Sequence, residues 1–216
     1  MAIGAAAGAA LSSAGVQNLL PCSASLWSVL TAATRELRNE SAVASKPCWR
    51  GPFSFCGVPV PPEEVVFSTS RSFAMLAPRP VLPGHAVVTP RRNVKAVFDL
   101  SKEEVDDLFQ AVQAVQYVLN GVTMTDSCTM LLQQGEAAEQ RLPQLYVHLV
   151  PRREGDLASN DDIYPLLETS IPLPLHEPGI SNGARDGLNA SDIRYWLLRV
   201  AADERPATTP STDAAA

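Results

Sequence analysis

Positive charge is in short supply in this 216-residue chain: 17 Lys and Arg face 23 Asp and Glu, for a net charge of −6. A protein that grips nucleic acid through its phosphates needs a basic surplus, so general nucleic-acid binding is not expected. Cysteine is scarce, and Cys22, Cys48, Cys56 and Cys128 form no Cys-x-x-Cys pair. Histidine is scarcer still, with His85, His148 and His176 far apart in the chain. Such spacing argues against a disulfide scaffold and a structural zinc site, and favours a reducing compartment, the cytoplasm first of all. No apolar run reaches the roughly 18 residues that a membrane-spanning helix needs, so no membrane partner is expected.

What is present falls into unequal parts. Residues 1–52 are rich in Ala and Ser, with no charged side chain before Arg35. Alanine buries little area and offsets little ordering entropy, so this stretch is expected to be a disordered extension, with mitochondrial targeting as the alternative. Residues 53–168 carry the pattern of a packed domain, with nine basic against fifteen acidic side chains. Residues 169–204 form a C-terminal segment, irregular and proline-punctuated over Ile171 to Gly187, followed by a short helix. Residues 205–216 are Ala-, Thr- and Pro-rich and are expected to be disordered.

Within the central part, Val65-Val66-Phe67 and Ser72 to Leu76 read as two short strands of a hairpin, and His85 to Thr89 as a third strand stopped by Pro90. Ser101 and Glu104 make a capping box, behind which Val105, Leu108, Phe109, Val112, Val115 and Leu119 recur at helical spacing. The main helix therefore covers about 101–120, with Gly121 as its stop. Cys128 to Gln133 and Gln144 to Val150 read as further strands. Ser191 is expected to cap the short C-terminal helix, with Ile193, Trp196, Leu197 and Val200 on one face.

Chemistry concentrates in Gln144-Leu145-Tyr146-Val147-His148-Leu149-Val150. Side chains alternate across a strand, so Leu145, Val147 and Leu149 face a core while Gln144, Tyr146 and His148 share the other face. An amphipathic strand with a wetted polar face is the plain reading of that pattern taken alone.

Further segments change the weighing. Pro80-Val81-Leu82-Pro83-Gly84-His85, Asp99-Leu100, Glu104 to Gln110, Gln133-Gln134-Gly135 with Gln140, Val147-His148 with Pro151-Arg152, Gly155-Asp156 and Asn160 to Tyr164 stand in order along the chain. Together with the hairpin strands they resemble the histidine-triad family, most closely its fragile-histidine-triad branch of dinucleoside polyphosphate hydrolases. The resemblance implies an α+β fold on an antiparallel sheet, a homodimer, and a nucleotide or dinucleoside polyphosphate ligand. It implies no resident cofactor, although a divalent cation such as Mg²⁺ would accompany the nucleotide. The family motif is three histidines on one strand face, the middle one attacking the α-phosphate to give a nucleotidyl-histidine.

This chain departs from that motif at its centre, with Gln144 at the first position, Tyr146 at the nucleophile and His148 at the third. The resemblance carries over His85, Gln133, Gln140, Arg141, Gln144 and His148 as nucleotide- or phosphate-binding residues. An imidazole is largely neutral and nucleophilic at pH 7, whereas a phenol is ionised about one part in a thousand. The expectation is a nucleotide-binding protein with impaired hydrolysis. The alternatives are a working hydrolase or nucleotidyl transferase using Tyr146 and His148, and an interaction subunit tethered by the N-terminal extension. Arg152-Arg153 is expected at a solvated edge, and Tyr164, which matches a family position, as a loop aromatic packed on the domain.

Overall fold

The computed structural model describes residues 23–41, 49–171 and 188–200; His176, Cys22, Cys48 and the tail from residue 205 lie outside them. Its elements are helix α1 (Ala24–Ser41), strands β1 (Ser54–Phe55), β2 (Val58–Pro59), β3 (Val65–Ser68), β4 (Ser72–Leu76) and β5 (Ala86–Pro90), helix α2 (Lys102–Thr123), strands β6 (Ser127–Leu131) and β7 (Val147–Arg152), and helices α3 (Ile163–Ser170) and α4 (Ala190–Val200). β3 to β7 form an antiparallel sheet in the order β3-β4-β5-β7-β6, the mixed α+β architecture the sequence implies. β1 and β2 make a separate hairpin whose two-residue turn, Cys56-Gly57, has φ of 51° and 79°. Both values suit a type I′ turn, the hairpin connection that requires positive φ at each central residue.

α2 lies across one face of the sheet. Ser101 accepts from the Glu104 N–H while the Glu104 carboxylate accepts from the Ser101 N–H, closing the expected capping box. The buried side of α2 comprises Leu108, Ala111, Val112, Val115, Val118 and Leu119, and it meets Val147 and Leu149 of β7 in one core. Gly121 does not stop the helix. It runs to Thr123, and Met124 ends it in the left-handed region at φ 55°. One interior glycine costs about 1 kcal/mol, which is offset by packing Val122 against the core and burying Thr123, whose hydroxyl donates to the Leu119 carbonyl.

Two regions differ from the sequence expectation. Part of the presumed disordered or targeting extension, residues 24–41, is α1, whose Leu30 and Leu37 are fully buried in the same core. Alanine-rich composition masked a stripe of larger residues, Leu26, Trp27, Leu30 and Leu37, at helical spacing. At the other end α4 buries Ile193, Trp196, Leu197 and Val200 as expected, but its cap is Asn189 rather than Ser191. The Asn189 side-chain oxygen accepts from the N–H groups of Ser191 and Asp192. Arg194 on α4 is buried and donates to the carbonyls of Glu63 and Val65 beside β3. No helix among the described residues is long and apolar enough to cross a membrane.

Candidate functional site

The strand carrying the polar face begins at Val147, three residues later than the alternation suggests, and continues through Pro151 to Arg152. The neighbouring strand explains the late start. Pro90 at the end of β5 has no N–H for the ladder, and the Thr89 hydroxyl donates to the Leu145 carbonyl instead. The Leu145 N–H turns to the Val94 carbonyl.

Gln144 is consumed by this junction. Its side-chain oxygen accepts from the Cys56 N–H at 2.6 Å, and its amide nitrogen donates to the Thr89 hydroxyl at 2.9 Å and the Pro90 carbonyl at 3.2 Å. The residue is buried, and it ties the β1–β2 hairpin to the sheet. Gln140 is engaged in the same way: it accepts from the Gly135 N–H and donates to the carbonyls of Lys95 and Gln144. Gln133 is half-buried and has no side-chain hydrogen bond among the described residues.

The structure brings His85, Tyr146 and His148 together. Tyr146 stands edge-on to His148, with ring centroids 5.0 Å apart, and edge-on to Phe55 of the hairpin on its other side at 5.6 Å. His85 Nε2 lies 2.9 Å from His148 Nδ1, although the two residues are 63 apart in sequence. Gly84, the residue before His85, fits closely against α2 and β7: its φ is 80°, and a β-carbon there would lie 2.9 Å from the Thr123 methyl group.

Protons in the histidine pair can be placed. Burial holds the His85 imidazole well below its ordinary pKa, with repulsion from His148 adding to the effect, and pushes His148 down to about 4. Both rings are therefore neutral at pH 7 and carry one proton each. The Val81 N–H donates to His85 Nδ1, so the His85 proton sits on Nε2 and is given to His148 Nδ1. That leaves the His148 proton on its own Nε2. His148 thus offers a hydrogen-bond donor on its free side and has no lone pair left to take a proton from Tyr146.

Tyr146 itself is 7% exposed, and its hydroxyl makes no hydrogen bond among the described residues. Burial raises the phenol pKa further, and the Cys56 thiol adds to this, while the Arg141 charge works weakly the other way. Cys56 is pushed up to about 11 by burial, so it is a thiol, not a thiolate, at neutral pH. Arg141 is exposed and donates to the Glu168 carbonyl of α3.

Other residues singled out in the sequence lie elsewhere. Arg152 forms a fork with Asp156, at 2.9 and 2.8 Å, and also reaches Thr129 and Asn160, while Arg153 donates to the Thr123 carbonyl. Arg152 is thus a structural tie rather than part of a solvated edge, whereas Arg153 is exposed as expected. Tyr164 lies in the first turn of α3 and is 54% exposed, not a loop aromatic packed inward. Phe55 and Cys56 were not anticipated as neighbours of Tyr146. A Cys-Gly pair between short apolar stretches was their only sequence signal, and turn chemistry alone does not say where a hairpin docks.

The geometry can be set beside known proteins. Residues 58–155 match the HIT domain. The bifunctional bis(5′-adenosyl)-triphosphatase/adenylylsulfatase FHIT of Arabidopsis thaliana is 37% identical over 116 residues, 54% of this chain and 64% of that protein. The bis(5′-adenosyl)-triphosphatase of Dictyostelium discoideum is 39% identical over 49% of this chain and 70% of its own length. The asymmetrical bis(5′-nucleosyl)-tetraphosphatase of Schizosaccharomyces pombe is 34% identical over 68% of this chain and 72% of its own length. Among solved structures, Plasmodium falciparum diadenosine triphosphate hydrolase in complex with Cyclomarin A shares the fold, with a TM-score of 0.51 at 22% identity over 64% of this chain and 88% of that one. On this likeness, carried through the same helix-backed antiparallel sheet, the chain belongs to the HIT-domain family.

Proposed function

We propose that the chain binds a nucleotide or dinucleoside polyphosphate on the face formed by Tyr146 and His148, and that it hydrolyses this ligand slowly or not at all. One observation carries the reading: His148, the imidazole that stands against Tyr146 among the described residues, has its Nδ1 occupied by His85 Nε2, and the Val81 N–H on His85 Nδ1 then assigns the His148 proton to Nε2. Tyr146 occupies the position that the family resemblance assigns to the nucleophile. A phenol attacks phosphorus only after losing its proton, and no side chain among the described residues is placed to accept it. Burial of Tyr146 works against ionisation as well. A nucleotidyl-tyrosine would also be a poor intermediate, because a phosphodiester of phenol lacks the easy exit of a protonated phosphoramidate.

Binding is a different matter. The His148 Nε2–H, the Arg141 guanidinium and the unengaged Gln133 amide are donors suited to phosphate oxygens. Mg²⁺ would arrive with the polyphosphate. Homodimerisation fits the same reading, since among the described residues β6 ends the sheet with its outer side unpaired and Met130 exposed. Cys56 and Cys128 are free thiols, which suits the cytoplasm.

The alternative is a working hydrolase, favoured by the triphosphatase names of relatives that are 37% and 39% identical. Incubation with diadenosine triphosphate and Mg²⁺, with product analysis, separates the two. Inert wild type, heat of binding in calorimetry and turnover gained by Tyr146→His support the proposal. Wild-type turnover that disappears in Tyr146→Phe or His148→Ala overturns it in favour of the hydrolase.

A further inference from the structure

α3 holds together by little of its own. Its eight residues are too few for a helix that is stable in isolation. It is fastened by Ile163 and Leu167, which pack on Val150, Val81 and Leu82 in a small cluster separate from the main core. Val150 is the next residue after His148 on the same face of β7. Two polar ties hold its C-terminal end: the Arg79 N–H donates to the Ser170 carbonyl at 3.0 Å, and the Arg141 side chain donates to the Glu168 carbonyl. A guanidinium there satisfies a terminal carbonyl and sits at the negative end of the helix dipole.

Access to the adjoining Tyr146–His148 face is closed. His148 is 2% exposed and Tyr146 7%, so a phosphate reaches neither without movement. Arg141 is exposed, five residues before Tyr146, and its charge is felt at the Tyr146 hydroxyl. A phosphate offers this guanidinium an anionic, two-pronged partner, where the Glu168 carbonyl is a single neutral acceptor. We infer that Arg141 latches α3 beside the Tyr146–His148 face, where Ile163 and Leu167 pack on Val150, and that a phosphate-bearing ligand opens the helix by drawing this guanidinium off the Glu168 carbonyl. Opening also reaches the histidine pair, because Val81 both packs under α3 and donates to His85 Nδ1. The ligand-triggered half of the inference rests on the nucleotide-binding reading above; the latch itself does not.

Hydrogen exchange read by mass spectrometry on the full chain tests both halves, with diadenosine triphosphate as the ligand and calorimetry on the same samples. Arg141→Gln in the free protein is expected to speed exchange of the α3 amides about tenfold, the equivalent of one charge-assisted bond, and to leave α2 unchanged. Ligand is expected to speed the same amides in wild type and to add nothing in Arg141→Gln. Unchanged α3 exchange in the variant overturns the latch. Heat of binding with α3 still fully protected in wild type overturns the trigger. Absence of binding heat overturns the nucleotide-binding reading and the trigger together, while acceleration in the variant still supports the latch.

Discussion

The two faces of β7 are built from one strand and obey different rules. Val147 and Leu149 point into the core beneath α2 and do nothing but fill it. Tyr146, immediately before the strand, and His148 within it are almost as deeply buried on the other side, yet there every polar atom has an assigned or conspicuously missing partner. The apolar face is energetically redundant in kind, since any side chain of the right volume serves it. The polar face depends on single atoms. A fold can therefore survive intact while its chemistry changes at one position, and a match over the whole domain says less about turnover than the location of one proton on His148.

Leu149→Ala should show the largest effect on the comparison, a loss of about 3 kcal/mol in urea denaturation from the cavity left under α2. A loss below that of the polar-face variants would reverse the assignment of roles. Acid comes next. Above pH ~6.5 the unfolded and folded forms of His148 are both neutral; below it the unfolded ring takes up a proton that the folded ring refuses until about 4. Stability should thus be intact at neutral pH and fall as pH drops from ~6.5 towards 4, by roughly 3 kcal/mol from His148 alone, with His85 acting in the same direction. Denaturation at three pH values checks this. His148→Asn, whose side-chain oxygen can still accept from His85, should flatten the slope.

Gln144→Ala should cost about 2 kcal/mol, because it strands the Cys56 N–H and removes the tie to Thr89 and Pro90. A cost near zero would mean that water serves the hairpin as well as the amide does. Tyr146→Phe should have the smallest effect, within about 0.5 kcal/mol, since the lost hydroxyl has no partner among the described residues while the ring contacts with Phe55 and His148 remain. A large cost would place an unrecognised hydrogen bond on that hydroxyl.

Legibility in the sequence followed the range of the interaction. The capping box at Ser101 and Glu104, the buried stripe of α2 and the alternation around His148 are local patterns, and each is readable from a window of a few residues. Where α2 stops is decided by what Val122 and Thr123 pack against, not by Gly121, and α1 was hidden because alanine supplies helix propensity without marking a face. The pairing of His85 with His148 joins positions 63 apart. No spacing rule forecasts it, and with it goes the tautomer on which the chemistry turns. Gln144 shows the same limit: alternation put it on the polar face, but the hairpin that claims its amide lies 88 residues earlier.

Arg194 gives the sheet a direction of growth. By occupying the carbonyls of Glu63 and Val65, its buried guanidinium stoppers the β3 edge, while β6 at the opposite edge has its outward groups unclaimed by any strand among the described residues. A sheet with one plugged border can be extended once and then no more. Two copies meeting through β6 would present only stoppered borders to the solvent, so the addition of strands ends at a pair instead of running on into a fibre.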